Sequence, residues 1–75
     1  MKKILIIGAG FLQDFVIQKA VSMGYETVTV DADPNAVGFR HAHNYAVIDI
    51  VDEQACLDYA VKEKIRIIKH TALYC

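Results

Sequence analysis

The chain has 75 residues, 55% hydrophobic and 23% charged, with a formal net charge of −1, which fits one compact domain and no more. So small a charge gives no electrostatic reason to expect nucleic acid or an anionic membrane as partner, and no apolar run approaches the roughly 20 residues that span a bilayer. Cys56 and Cys75 are far apart and without Cys-x-x-Cys spacing, which argues against a disulfide scaffold or structural zinc and for a reducing cytoplasm.

Lys3 to Ile7 carries an unbroken β-branched and leucine run, as a strand buried on both faces requires. It is too short for the apolar region of a signal peptide, because Gly8 breaks it after four strong hydrophobes, against the roughly 7 to 15 needed. Past Gly8-Ala9-Gly10, a helix follows, with Leu12, Phe15, Val16, Ala20 and Met23 as its apolar stripe. Gly24 stands where a left-handed cap ends it. Glu26 to Val30 reads as a second strand, and Asp31-Ala32-Asp33-Pro34-Asn35 as a turn.

Residues 36 to 44 fit one short helical turn, and Tyr45 to Ile50 a third strand. Asp52 is placed to cap a last helix with Glu53 in its first turn. Cys56, Leu57, Ala60 and Val61 are its expected apolar stripe, running to about Lys64. Ile65 to Ile68 reads as a fourth strand. The order β-α-β-(α)-β-α-β predicts a small three-layer, Rossmann-like α/β domain with a parallel sheet of about four strands, one domain over residues 1–75.

The strand-Gly8-x-Gly10-helix junction is the strongest chemical signal. Gly8 permits a tight turn, and Gly10 lets an anion approach the bare amides and positive dipole of the helix start, at Gly10, Phe11 and Leu12. Asp31, at the end of the second strand, stands where dinucleotide folds place a ribose-binding acid. The third glycine of that fingerprint would fall at Gln13, whose side chain intrudes on the groove and weakens an NAD reading. The alternative explanation of the glycines is a tight βα turn holding no ligand.

His41 and His43 could offer imidazoles to a metal, but no third ligand is identifiable, so no metal site is assigned. His70 is isolated, and Cys56 falls on an apolar stripe as a core residue. Asp33, Asp49 and Asp52 stand at turns and helix starts, where they cap.

Lys3-Ile4-Leu5-Ile6-Ile7-Gly8-Ala9-Gly10, Gly24-Tyr25-Glu26-Thr27-Val28, Asp31-Ala32-Asp33-Pro34-Asn35-Ala36 and Ala42-His43-Asn44-Tyr45-Ala46-Val47-Ile48-Asp49 together resemble the N-terminal domain of ATP-grasp ligases. That superfamily includes biotin carboxylase, the large subunit of carbamoyl phosphate synthase and the purine-pathway carboxylate ligases. The resemblance covers residues 2 to 64 and falters from Ile65 on, as a truncation or an altered reading frame would produce. It implies a non-catalytic piece of a longer ligase that packs on an ATP-grasp catalytic domain, with its glycine loop facing the acceptor-substrate side of the cleft. It also implies that the groups holding ATP and magnesium lie in later domains, so that this chain holds neither.

Two other readings compete. One is a free-standing NAD- or mononucleotide-binding module using Gly8, Gly10 and Asp31. The other is an interaction domain, forming a homodimer through the unpaired sheet edge of the fourth strand.

Overall fold

The computed structural model describes residues 2–65. In chain order it has β1 (Lys3–Ile7), α1 (Phe11–Ser22), β2 (Glu26–Asp31), a 3-10 helix (Val37–Arg40), β3 (Asn44–Val47) and α2 (Glu53–Lys62). The strands form one parallel sheet in the order β1-β2-β3. Lys3 lies opposite Glu26 and Ile7 opposite Val30, while Val28 lies opposite Asn44 and Asp31 opposite Val47. The fold class is therefore the Rossmann-like α/β arrangement expected. The fourth strand expected over Ile65 to Ile68 lies, from position 66 onward, outside the described residues.

Alternation along the strands builds two cores. Ile4 and Ile6 point to one face, where Ala9, Ile17, Ala20 and Phe39 bring α1 and the 3-10 helix onto the sheet. Leu5, Ile7, Val28 and Val30 point to the other, against Cys56 and Tyr59 of α2. This is the three-layer arrangement.

The strand buried on both faces is β2, whose Thr27, Val28, Thr29 and Val30 are each 0% exposed. The sequence reading assigned that environment to β1. Most of β1 is only half-buried, because it has one strand neighbour among the described residues. A central strand that spends two positions on threonine must satisfy the hydroxyls. Thr29 Oγ1 does so, donating to the Ile6 carbonyl at 2.7 Å and reaching the Gly8 carbonyl at 3.0 Å.

The helices correct two expectations. In α1 the buried residues are Ile17 and Ala20, whereas Leu12, Phe15 and Met23 are 74%, 59% and 61% exposed, and Val16 is exposed as well. The helix is apolar on two sides, and the sheet and the 3-10 helix together cover only one. In α2, Tyr59 joins Cys56 and Ala60 in the core, while Leu57 and Val61 face outward. The helix ends at Lys62, and Lys64 takes a left-handed φ of 62° as the chain turns.

Caps and turns follow the side chains expected of them. Gly24 has φ +90°, and Asp52 Oδ1 accepts the Ala55 amide at 3.1 Å. β3 starts one residue before the expected Tyr45 and stops at Val47, short of Ile50. The reason is Asp49, whose side chain accepts the Val51 amide and whose carbonyl accepts that of Asp52, turning the chain. Phe39 stacks on Tyr45 with ring centroids 4.2 Å apart, holding the 3-10 helix against β3. At the strand starts, Glu63 receives Lys3 at 3.3 Å and Asn44 Nδ2 at 3.0 Å, tying the end of α2 to β1 and β3.

Candidate functional site

The site grows from the end of β1. Gly8 has φ +94°, a left-handed backbone that a side chain would strain. Its amide donates to the Val30 carbonyl at 2.8 Å, and its carbonyl is within reach of the Thr29 hydroxyl. The buried Ala9 is held as firmly: its amide donates to Asp31 Oδ2 at 2.8 Å, and its carbonyl accepts the Gly38 amide at 2.8 Å. The amides of Gly8 and Ala9 and the Ala9 carbonyl are thus committed inside the protein, and the Gly8 carbonyl shares the Thr29 hydroxyl with that of Ile6.

Gly10 and the first turn of α1 differ. Gly10 is the helix cap with φ −70° and ψ −172°, and no side chain caps the helix. Its carbonyl accepts the Asp14 amide at 2.9 Å. The amides of Phe11, Leu12 and Gln13 precede the first intrahelical donor, Asp14, and lie at the positive end of the dipole. Phe11 and Leu12 are exposed. α2 begins on an amide already held by Asp52, so of the two α-helices described it is α1 that starts without a side-chain cap.

Asp31, the last residue of β2, contributes from beneath. Its Oδ2 takes Ala9 and its Oδ1 takes the Asp33 amide at 3.0 Å, while Asp33 Oδ1 in turn takes Asn35 at 2.9 Å. The Asp-x-Asp-Pro-Asn segment is therefore a pair of side-chain-closed turns that braces the glycine loop. Gln13 lies across that loop. A Cβ built on Gly8 would meet Gln13 Cγ at 3.5 Å, and one on Gly10 would meet its Oε1 at 3.2 Å.

The sequence reading did not single out two residues that shape this loop. Thr29 holds the Gly8 carbonyl from the central strand. Gly38 lets the 3-10 helix close over the loop, since a Cβ there would come to 2.7 Å from Ile17 Cδ1 and 2.9 Å from the Ala9 carbonyl oxygen. A glycine between Val37 and Phe39, with no turn chemistry around it, was the available signal for the latter.

The histidines go to separate partners. His41 Nδ1 lies 2.7 Å from Asp14 Oδ1 on α1, and Asp14 Oδ2 also accepts Gln18 Nε2 at 3.0 Å. His43 Nδ1 accepts the Thr27 amide at 3.0 Å. The Cys56 thiol is buried in the α2 core. Its pKa is pushed up by that burial and by the charges of Asp52 and Asp49, the opposite of what a reactive cysteine needs.

Comparison with known proteins places these features in a family. Residues 1–70 match the family described as the ribonucleotide synthetase preATP-grasp domain. The formate-dependent phosphoribosylglycinamide formyltransferase of Methanococcus maripaludis is 41% identical over 63 residues, 84% of this chain and 16% of that protein. Its Bacillus subtilis counterpart is 36% identical over 62 residues, 83% of this chain and 16% of that protein. Among solved structures, N5-carboxyaminoimidazole ribonucleotide synthetase from Thermotoga maritima superposes with a TM-score of 0.75 at 29% identity, covering 83% of this chain and 17% of that one. The Staphylococcus aureus N5-carboxyaminoimidazole synthetase, solved with ADP, gives 0.75 at 31% identity, covering 81% of this chain and 16% of that one. The chain spans about a sixth of the length of the curated relatives it matches.

Proposed function

Because the chain belongs to the ribonucleotide synthetase preATP-grasp domain family, we propose that it serves as the substrate-side N-terminal domain of an ATP-grasp ligase acting on a phosphorylated ribose. The names of its relatives share that feature: a phosphoribosylglycinamide in one group, an aminoimidazole ribonucleotide in the other. In such an enzyme a carboxylate oxygen attacks the terminal phosphorus of ATP and ADP leaves. The acceptor's amine then attacks the acyl phosphate and releases inorganic phosphate. ATP and magnesium belong to the remaining polypeptide, and this domain is not catalytic alone.

Its own part is to hold the anionic end of the acceptor. The amides of Gly10, Phe11 and Leu12 point to that role, with Gly8 and Asp31 shaping the loop beneath them. The observation that carries this reading is the division of labour among the loop amides. Those of Gly8 and Ala9 are satisfied internally, while the helix behind Gly10 starts without a side-chain cap. Such a helix start stabilises an anion by about 0.3 to 2 kcal/mol, so the domain orients a substrate held mainly by the rest of the enzyme. The NAD reading is less well supported, because Gln13 stands where the third glycine of the fingerprint would fall and its side chain lies against Gly8 and Gly10.

The test is a chimera in which this chain replaces the matched region of the M. maripaludis formyltransferase. Gly10→Ala keeps an ordinary φ of −70° and meets only the flexible Gln13 end, but sets a methyl group at the mouth of the amides. The expected result is a KM for phosphoribosylglycinamide raised about tenfold, equivalent to about 1.4 kcal/mol, with the KM for ATP unchanged. An unchanged acceptor KM, or an equal rise in both, contradicts the reading.

A further inference from the structure

The 3-10 helix is seated over the glycine loop by three contacts. Its Gly38 amide donates to the Ala9 carbonyl at 2.8 Å, and its Phe39 is buried in the core beside Ala9 and Ile17. The third contact is made by His41, the residue that ends it, whose Nδ1 lies 2.7 Å from Asp14 Oδ1 on α1. Among the described residues this is the only side-chain hydrogen bond joining that segment to α1. A single turn of 3-10 helix has little stability of its own, so its seat on the loop depends on what holds its two ends.

Histidine as a residue type changes charge between about pH 5 and 8, and a carboxylate stays ionised across that range. A charged imidazole meets a carboxylate in a charge-assisted bond, about twice as strong as the neutral one. The surroundings leave that difference standing. The other oxygen of Asp14 accepts the neutral Gln18 amide at 3.0 Å. Asp31 and Asp33 are occupied with the backbone amides of Ala9, Asp33 and Asn35, and His43 turns its Nδ1 to Thr27. The cations on the two elements are Arg40 and Lys19, and among the described residues neither pairs with a carboxylate. The His41 and Asp14 side chains are 41% and 16% exposed, so solvent weakens their pairing without removing it.

We infer that His41 and Asp14 form a proton-sensitive latch that holds the 3-10 helix on the glycine loop, tight when the imidazole is charged and looser when it is neutral. Ala9 stands between Gly8 and Gly10 and takes the Gly38 amide on its carbonyl, so opening the latch uncovers the loop from the 3-10 side. The latch belongs to the free domain and is independent of which ligand the loop receives.

Amide hydrogen exchange of the 75-residue chain, followed by NMR at about pH 5.5 and about pH 8 and expressed as protection factors, tests this. Dividing by the intrinsic rates removes the ordinary effect of pH on exchange. Gly38 reports the seat of the 3-10 helix, and Val28, in the buried central strand, reports opening of the whole fold. Protection of Gly38 should be about threefold lower at the higher pH, the size expected of a partly exposed ion pair, while that of Val28 holds. His41→Gln keeps a neutral donor and Asp14→Asn removes the charge on the other side, and each should make the protection of Gly38 the same at both pH values. Equal protection of Gly38 in the unaltered chain overturns the inference. So does a fall that persists in either variant, or one that Val28 matches. Every reading is taken without ligand, so failure of the latch leaves the proposed anion site untouched, and failure of that site leaves the latch.

Discussion

Asp31 shows how much of this site is held by single side chains. Its carboxylate carries the amide of buried Ala9 and, through Asp33, the turn that follows. Asp31→Ala leaves the Ala9 donor unpaired, while water can replace Asp31 at the exposed Asp33. The expected loss is about 1–3 kcal/mol, checked by urea unfolding. Gly38→Ala forces a methyl group against backbone and Ile17, so it should cost about 1–3 kcal/mol and loosen the 3-10 helix, visible as faster amide exchange at Gly38. Asp31 was legible in the sequence as a residue at a strand end. Its partners were not, because an acid that braces a backbone and an acid that binds a ribose occupy the same position. Thr29 was hidden for a similar reason, since a strand-favouring threonine reads the same whether its hydroxyl is used or not.

Tyr59 gives the residue scale its pH dependence. Its hydroxyl is buried with no hydrogen-bond partner among the described residues, and its pKa is pushed up from 10.0 to about 12 by burial first and the Glu63 charge second. The folded state therefore keeps a proton that the unfolded state has begun to lose. Stability from this group is complete below about pH 10 and falls as pH rises toward about 12. Tyr59→Phe removes both the unpartnered hydroxyl and this loss. It should leave stability at pH 7 unchanged or slightly higher and move alkaline unfolding upward, and a lower alkaline midpoint contradicts the assignment.

At the scale of elements, α1 separates what periodicity can tell from what it cannot. A helix between Gly10 and Gly24 was plain, since both ends are set by local chemistry: a glycine cap before Phe11 and a left-handed glycine after Met23. Which side faces inward was not. Leu12, Phe15, Val16 and Met23 make as good an apolar stripe as Ile17 and Ala20, and only the sheet and Gly38 decide between them. The energetic contrast is testable by thermal melts. Ile17→Ala should cost about 2–5 kcal/mol, and Leu12→Ala or Met23→Ala within about 0.5 kcal/mol. β3 was extended too far for a comparable reason, because Ile48 and Ile50 continue an apolar run past the turn that Asp49 makes.

For the whole molecule, alternating strand and helix signals determined the parallel three-layer fold, and the Asp-Pro-Asn turn after β2 pointed to the family. No helix among the described residues is long and apolar enough to cross a membrane. The proposed anion-binding loop sits at one end of this architecture, where β1 and β2 deliver a braced loop to a helix start without a side-chain cap. Nitrogen-15 NMR of the chain titrated with ribose 5-phosphate measures that most directly. The amides of Gly10, Phe11 and Leu12 should shift together in the millimolar range, while Ala9, held by Asp31, and Ala55, held by Asp52, stay in place. Shifts at Ala55 with none at Gly10 to Leu12, or no shift at all, would contradict the account.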